Sequence, residues 1–170
     1  YDFINSLTTL GFDKSWRKQA ADKLNPGNVL DLGSGTGASY SDLKNFDVTA
    51  LDPDEQMLSL NNFEKKIVGK GEELPFNENS FDNVLCCFVW RNVSDTEKAL
   101  SEVYRVLKPG GKFILLDMTR PKNSFLKLIH KIGTYILLHF VGLITLNLKE
   151  YSFLYKSCLL YTSPSPRDVC

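Results

Sequence analysis

A glycine-rich segment that follows a short apolar run carries the strongest chemical signal in the sequence. It reads Asp31-Leu32-Gly33-Ser34-Gly35-Thr36-Gly37 and comes directly after Val29-Leu30. A glycine-rich turn between a strand and a helix lets the backbone approach a ligand closely, and it points helix N-terminal N–H groups at that ligand. The segment therefore predicts a site for a nucleotide-type cofactor.

Two carboxylates, Asp31 and Asp52, accompany the glycines. The spacing Gly33-x-Gly35-x-x-Ala38 satisfies the dinucleotide fingerprint, with Asp52 as the ribose-binding acid, so NAD and S-adenosylmethionine are both candidates. Asp31 favours the second, because a carboxylate repels a pyrophosphate but attracts the cationic amino group of a methionine. The alternatives are structural: Asp31 braces the loop, and Asp52 caps the helix that follows it.

Short apolar runs alternate with helical patterns from Asn28 onward. Strands are predicted at 29–32, 48–51, 67–68, within 81–90 and at 113–116, and helices at 38–45, 54–65 and 95–107. The apolar stripes of the two longer helices are Met57, Leu58 and Leu60, and Ala99, Leu100, Val103 and Leu107. This alternation predicts an α/β domain with a mostly parallel, twisted sheet and helices on both faces.

Composition narrows the class of protein. The chain has 170 residues, 43% of them hydrophobic and 24% charged, which suits one globular domain. Twenty basic residues balance twenty acidic ones, so the basic excess of a dedicated nucleic-acid binder is missing. Cys86 and Cys87 are adjacent in an apolar run and suit neither a mutual disulfide nor a zinc site. We therefore expect a reduced, cytoplasmic protein without a metal.

Further segments extend the pattern well beyond the glycines. They are Tyr1-Asp2-x-x-Asn5, Trp16-Arg17, Glu72-Glu73-Leu74-Pro75-Phe76, Ser80-Phe81-Asp82, Arg91-Asn92-Val93-Ser94-Asp95, Lys98-Ala99-Leu100, Arg105-Val106-Leu107-Lys108-Pro109-Gly110-Gly111 and Pro121. With them, the chain resembles class I S-adenosylmethionine-dependent methyltransferases. More narrowly, it resembles the family that C-methylates quinones in menaquinone and ubiquinone synthesis.

The resemblance implies a Rossmann-like fold and a set of cofactor contacts. Thr36 and the neighbouring backbone would contact the methionine part of S-adenosylmethionine, and Asp52 would hold its ribose. Lys70 and Gly71 would border the adenine, and Cys87 would line the floor of the site. The family usually has Asp or Asn where this chain has Lys70, and lysine cannot accept a hydrogen bond. The adenine contact would then come from Glu72, from backbone, or be absent.

The implied substrate is a polyprenyl quinol, with demethylmenaquinol ahead of a ubiquinone precursor. Its ring carbon becomes nucleophilic when a ring hydroxyl loses its proton, so the protein must stabilise an oxyanion. Arg91, which follows the central strand, is the first candidate for that role. Asn92 would orient the same hydroxyl, and Tyr1 would help to position the substrate. The structural alternatives are that Arg91 pairs with Asp95, Asn92 caps the next helix and Tyr1 packs as a lid. As alternative functions, the protein methylates another lipid or small molecule, or is a non-catalytic cofactor-binding fragment.

The most hydrophobic part of the chain runs from Ser124 to Leu148, within an apolar cover segment at about 122–148. It falls short of the roughly 20 apolar residues that span a membrane. Its flanking lysines suit an interfacial element that covers a lipophilic substrate tail and touches the inner face of the membrane. The alternative is an ordinary buried helix.

The end of the chain has an unusual composition. The segment from Cys158 to Asp168 back-translates, codon by codon, to a sequence that resembles a sequencing-library adapter. The sequence thus predicts a methyltransferase domain at 1–157, truncated at both ends, and an adapter-derived tail at 158–170. A natural Ser/Pro-rich tail is the alternative. We also expect the last strands of the family's sheet to be missing, which would leave the strand at 113–116 without its usual partner.

Overall fold

The computed structural model describes residues 9, 11–117 and 132–133 of the chain. The elements within them, in chain order, are α1 (Phe12–Ala21), β1 (Asn28–Leu32), α2 (Tyr40–Leu43), β2 (Asp47–Asp52), α3 (Glu55–Ser59), β3 (Lys65–Val68), β4 (Phe81–Cys87), a 3-10 turn (Trp90–Asn92), α4 (Thr96–Val106) and β5 (Leu107–Leu116). The chain divides into two compact units, Tyr1–Met118 and Thr119–Cys170, and all of these elements belong to the first.

The five strands form one parallel sheet in the order β3-β2-β1-β4-β5. The chain moves outward from β1 through β2 to β3, then crosses back to place β4 on the other side of β1. Ligands of open α/β sheets bind beside the carboxyl ends of the strands at such a reversal. The parallel sheet confirms the predicted α/β fold class and brings the ends of β1, β2, β4 and β5 to a single edge.

Two apolar clusters cover the two faces of the sheet. One joins Val29 and Leu85 to Ala20 of α1 and Leu43 of α2. The other packs the opposite sides of the same strands against α4, through the buried residues Leu30, Leu32, Val84, Cys86, Val103 and Val106. Central strands that are buried on both faces read as continuous apolar runs, which is why the sequence predicted them well.

The helix predicted at 54–65 is much shorter in the structure. Asp54 is its N-cap and accepts hydrogen bonds from two backbone N–H groups, but α3 ends at Ser59. Leu60 is 70% exposed, so it does not belong to the apolar stripe. Lys65, expected at the end of the helix, begins β3 and pairs with Thr49 of β2. The prediction failed because the sheet contacts of 65–68 outweigh a local helical pattern.

Smaller corrections apply to the other predicted elements. The helix predicted at 38–45 shortens to α2, and the strand expected within 81–90 ends at Cys87. In α4 the buried stripe is Ala99, Val103 and Val106, whereas Leu100 is 51% exposed. The spacing 99, 103, 106 keeps one helical face toward the sheet, and position 100 lies about a quarter turn away.

The strand predicted at 113–116 starts earlier, because β5 already pairs with β4 at Leu107. The ladder is then interrupted, and Lys112 resumes it opposite Asn83. Residues 108–111 therefore bulge out of the register opposite Asp82. Among the described strands β5 lies at one edge of the sheet.

Several predictions fall outside the described residues: Tyr1, almost all of the apolar cover segment, the boundary at 157/158 and the tail at 158–170. In the part of the chain that the structure does describe, no helix has the length and apolarity needed to cross a membrane.

Candidate cofactor site

Asp31 lies inside the sheet edge, near the end of β1. It is 2% exposed, and its Oδ2 accepts a hydrogen bond of 2.7 Å from Ser34 Oγ in the glycine segment. Burial raises the pKa of Asp31 from 3.8 to about 6, and the Ser34 hydrogen bond and the charge of Arg17 offset only part of this rise. The carboxylate thus remains ionised at neutral pH, but at a cost that a bound cation would relieve.

Asp52, the last residue of β2, touches the glycine segment directly. Its Oδ2 accepts a hydrogen bond from Gly35 N at 2.9 Å, and its Oδ1 accepts one from Asp54 N at 2.9 Å. Because Asp54 is the helix cap, the capping alternative for Asp52 is wrong. Each carboxylate oxygen has two acceptor positions, so both oxygens retain one position for a ligand hydroxyl.

The side chain of Asn61 forms hydrogen bonds to the glycine segment, and the sequence analysis did not identify this residue. Its Nδ2 donates to Ser34 Oγ at 2.8 Å and to Gly35 O at 3.0 Å, and its Oδ1 accepts from Phe63 N. A Cβ on Gly37, which has a φ of 85°, would lie 2.5 Å from Asn61 Oδ1. A signal was available, because two asparagines at 61–62 are poor helix formers inside the helix that we predicted.

Gly33 is the second glycine that the fold requires. Its φ is 73°, and a Cβ there would overlap the side chain of Val89, which follows β4. The glycine segment therefore packs directly on the end of β4. Thr36 lies in the same segment and is partly buried.

The predicted adenine border lies after β3. The Lys70 side chain is exposed, whereas Gly71 is buried against Leu32 and Ala99. Glu72 Oε1 accepts hydrogen bonds from Ser94 N at 2.8 Å and Asp95 N at 3.4 Å. Burial alone would raise the pKa of Glu72, but backbone hydrogen bonds and Lys70 outweigh it and lower the pKa. Glu72 thus already anchors the start of α4, which makes it a less available acceptor for adenine.

Cys87 ends β4 on the same face as Asp31. Burial, with a contribution from the Asp31 charge, raises its pKa to about 12. Cys86 and Cys87 are both free and buried. The thiol of Cys87 therefore stays neutral and can line a site but cannot act as a nucleophile at physiological pH.

Arg91 follows β4 in the 3-10 turn. Its Nη1 lies 3.0 Å from Asp117 Oδ1, and its backbone N–H donates to Asp117 Oδ2 at 3.2 Å. The two side chains are only 14% and 13% exposed. The alternative partner Asp95 instead caps α4 by accepting from Lys98 N, so the Arg91–Asp95 pairing and the capping role of Asn92 are both wrong. Asn92 itself is exposed.

Arg17 is the second residue that the sequence analysis missed as a site residue. It lies on the buried face of α1, is 6% exposed and has Nη1 3.3 Å from Ser39 Oγ, just after the glycine segment. A signal existed, because Arg17 shares a helical face with Ala20 and Ala21. That face also carries Asp13, which is 6% exposed, and two charged side chains on one buried helical face indicate an unusual environment.

The groups at this edge fit S-adenosylmethionine. Asp31 supplies a buried negative charge for the ammonium, Asp52 has acceptor positions left for a ribose diol, and the glycine backbone allows close approach. The same carboxylate at Asp31 disfavours a pyrophosphate at this place, which argues against NAD.

Comparisons with known proteins decide the family. The model of the ubiE/COQ5 methyltransferase family matches residues 1–164. The chain is 36% identical over 185 aligned residues to the ubiquinone/menaquinone biosynthesis C-methyltransferase UbiE of Rickettsia typhi, covering 96% of this chain and 74% of that protein. The UbiE protein of Rickettsia prowazekii matches with the same identity and coverage.

The chain belongs to the ubiE/COQ5 methyltransferase family. This confirms the predicted resemblance and identifies the chain as an S-adenosylmethionine-dependent methyltransferase.

Solved structures agree with this assignment. A SAM-dependent methyltransferase from Thermotoga maritima is similar with a TM-score of 0.62 and 28% identity, over 79% of this chain and 64% of that one. The YcgJ protein of Bacillus subtilis gives a TM-score of 0.58 and 26% identity, over 72% of this chain and 58% of that one. The ubiE/COQ5 chain thus spans somewhat less than two thirds of each of these two structures.

Proposed function

We propose that this protein transfers a methyl group from S-adenosylmethionine to a ring carbon of a polyprenyl quinol, converting demethylmenaquinol into menaquinol. The names of its relatives include both ubiquinone and menaquinone biosynthesis. The observation that carries the proposal is the Arg91–Asp117 pair. It holds a guanidinium just beyond the end of β4, on the sheet edge that also carries Asp31 and Asp52.

The cofactor would lie across the ends of β1 and β2. Asp31 would bind its ammonium, and Asp52 would accept from the ribose hydroxyls at its two remaining acceptor positions. Gly33, Gly35 and Thr36 would line the methionine part. Lys70, Gly71 and Cys87 would border the adenine and the floor, with backbone groups as the acceptors that Lys70 cannot supply.

The chemical task of the protein would be to stabilise the negative charge that forms on the quinol oxygen. A quinol ring carbon attacks only after a ring hydroxyl has lost its proton, and S-adenosylmethionine, when bound, supplies the electrophilic methyl group. Arg91 would stabilise the resulting oxyanion with preorganised N–H donors. Asp117 would keep those donors oriented, because it binds both the guanidinium and the backbone N–H of Arg91.

Two further parts of the proposal rest on the sequence alone. Asn92 and Tyr1 would position the quinol, and the segment at about 124–148 would cover its polyprenyl tail at the inner face of the membrane. Lipophilic tails favour such an apolar cover, because burial of each CH₂ group gains about 0.8 kcal/mol.

The test is methyl incorporation from radiolabelled S-adenosylmethionine into demethylmenaquinol and, in parallel, into a ubiquinone-precursor quinol. We expect demethylmenaquinol to be the better substrate. Arg91→Lys should lower turnover by about 10-fold or more without changing the affinity for S-adenosylhomocysteine, because a lysine point charge does not reproduce the guanidinium fork. If folded protein that binds S-adenosylhomocysteine methylates neither quinol, the proposed substrate class is wrong.

A matched pair of variants separates positioning from general ion-pair loss. Asp117→Asn removes the partner of Arg91, whereas Asp47→Asn removes the partner of Lys65 in an exposed ion pair at the opposite edge of the sheet. We expect Asp117→Asn to lower kcat and Asp47→Asn to leave it unchanged. Equal kcat values for the two variants would show that Asp117 has no positioning role.

A further inference from the structure

Arg17 is a buried cation without an ion-pair partner among the described residues. It is 6% exposed, and no described carboxylate oxygen lies within 4.0 Å of its guanidinium. Its Nε is the one buried side-chain nitrogen or oxygen in the described part of the chain that has no hydrogen-bond partner. Buried arginines are normally paired, since an unpaired charge and an orphaned donor are both costly.

The surroundings hold the guanidinium in place, but no described carboxylate forms an ion-pair contact with it. Nη1 donates to Ser39 Oγ at 3.3 Å, and the guanidinium carbon lies 4.9 Å from the centre of the Phe88 ring. A ring below the guanidinium plane covers one face and does not use the N–H groups along its edge. Phe88 has a φ of 62°, which is rare for a residue other than glycine, and its N–H donates to Leu116 O at 2.7 Å.

Arg17 also lies near the buried carboxylate of Asp31. Its charge offsets part of the rise that burial causes in the pKa of Asp31, and it does the same for Asp42. Asp31 and Arg17 thus form two opposite charges that are close but not in contact. Both are on the face of the sheet that α1 covers. Ser34, which binds Asp31, lies within the glycine segment, and Ser39, which binds Arg17, follows it.

A zwitterion satisfies both groups at once. The amino-acid end of S-adenosylmethionine carries an ammonium and a carboxylate on the same carbon. An ammonium suits Asp31, and a planar carboxylate matches the fork of N–H donors that a guanidinium presents.

We infer that Arg17 binds the carboxylate of the cofactor's methionine end, opposite Asp31, and that this pair makes the site selective for adenosyl compounds with an intact amino acid. The inference rests on the proposed use of S-adenosylmethionine. It adds a recognition residue from α1, outside the segments that the sequence predicted to bind the cofactor.

The test compares two cofactors by calorimetric titration: S-adenosylmethionine and its decarboxylated form, which keeps the sulfonium and the amino group but lacks the carboxylate. We expect the wild-type protein to bind S-adenosylmethionine about 10- to 100-fold more tightly than the decarboxylated form, because hydrogen bonds to a charged group contribute affinity of this size. In Arg17→Gln, which retains a donor for Ser39, this preference should fall toward equality. Lys18→Gln removes an exposed positive charge from the same helix and should keep the preference.

The outcomes separate the inference from the function on which it rests. Equal affinity of the wild-type protein for the two compounds overturns the role of Arg17. An undiminished preference of Arg17→Gln for S-adenosylmethionine overturns it as well. Both outcomes leave the proposed methyl transfer intact. A wild-type protein that binds neither compound refutes the proposed cofactor itself. If Arg17→Gln does not fold, Arg17→Lys replaces it, and an intermediate preference is then expected because the charge remains but the fork is lost.

Discussion

Replacing Asp31 with asparagine should stabilise the cofactor-free protein at neutral pH and weaken cofactor binding at the same time. Asp31 is buried, and its pKa rises from 3.8 to about 6 on folding. At pH 7 the carboxylate is ionised in both folded and unfolded chains, so the folded state carries a penalty of about 3 kcal/mol. Asparagine removes the charge and keeps an oxygen that can accept from Ser34 Oγ.

The stability gained by Asp31→Asn should increase as the pH rises from 3.8 to about 6. Below pH 3.8 Asp31 is protonated in both states, and the two proteins should be equally stable. As the pH rises from 3.8 to about 6, the unfolded chain ionises first, and the wild type loses stability relative to the variant. Urea denaturation of the cofactor-free proteins between pH 4 and 8 measures this difference. For a chain of this size, each kcal/mol corresponds to about 2–4 °C in Tm.

Asp82→Asn provides a control of the opposite sign. The side chain of Asp82 accepts from Lys108 Nζ and Asn28 N, and these bonds lower its pKa. Its loss should therefore destabilise the protein at neutral pH. If Asp31→Asn is less stable than the wild type at pH 8, the ionised carboxylate is favourable where it stands, and the reasoning from its burial is refuted.

Two more predictions concern stability. Gly33→Ala should lower the free energy of unfolding by more than the roughly 1–2 kcal/mol of a left-handed residue, because its Cβ also overlaps Val89. Gly110→Ala, which has a similar φ of 79° and open space around it, should cost only that backbone contribution. Equal losses for the two variants in urea denaturation would rule out the overlap. Arg105→Lys should destabilise the protein by about 1–2 kcal/mol, because Arg105 Nη2 and Nη1 donate to Leu74 O and the carbonyl of residue 76. An unchanged urea midpoint would show that lysine serves equally well there.

The sequence predicted those parts of the fold that depend on local chemistry. β1 and β4 are buried on both faces, so their apolar runs and the glycines after β1 were sufficient to predict a parallel sheet with a ligand edge. For the end of α3 the local signal, the two asparagines at 61–62, is weaker than the apolar stripe before it. The end of this helix depends on Asn61 turning back to bind Ser34 and Gly35, a contact between residues 26 and 27 positions apart.

The candidate site shows the same division. Asp31 and Asp52 were predicted as site residues because Asp31 begins the glycine segment and Asp52 ends a strand. Arg17 was missed because its neighbours, Ser39 and Phe88, are 22 and 71 positions away in the chain, and only the folded sheet brings them together. The prediction of Asp95 as the partner of Arg91 was wrong for the same reason, because Asp95 is near in sequence but Asp117 is near in space.

The interrupted ladder between β4 and β5 bears on how the protein can be labelled. Residues 108–111 bulge out at the start of β5, whereas Asp117 follows the end of this strand. The bulge and the candidate site therefore lie at opposite ends of the strands. Pro109 and Gly110 are exposed, and the pairing of Lys112 with Asn83 restores the register immediately afterwards. A short tag or a fluorophore attached at 109–110 would therefore report on unfolding without touching Asp31, Asp52 or Arg91.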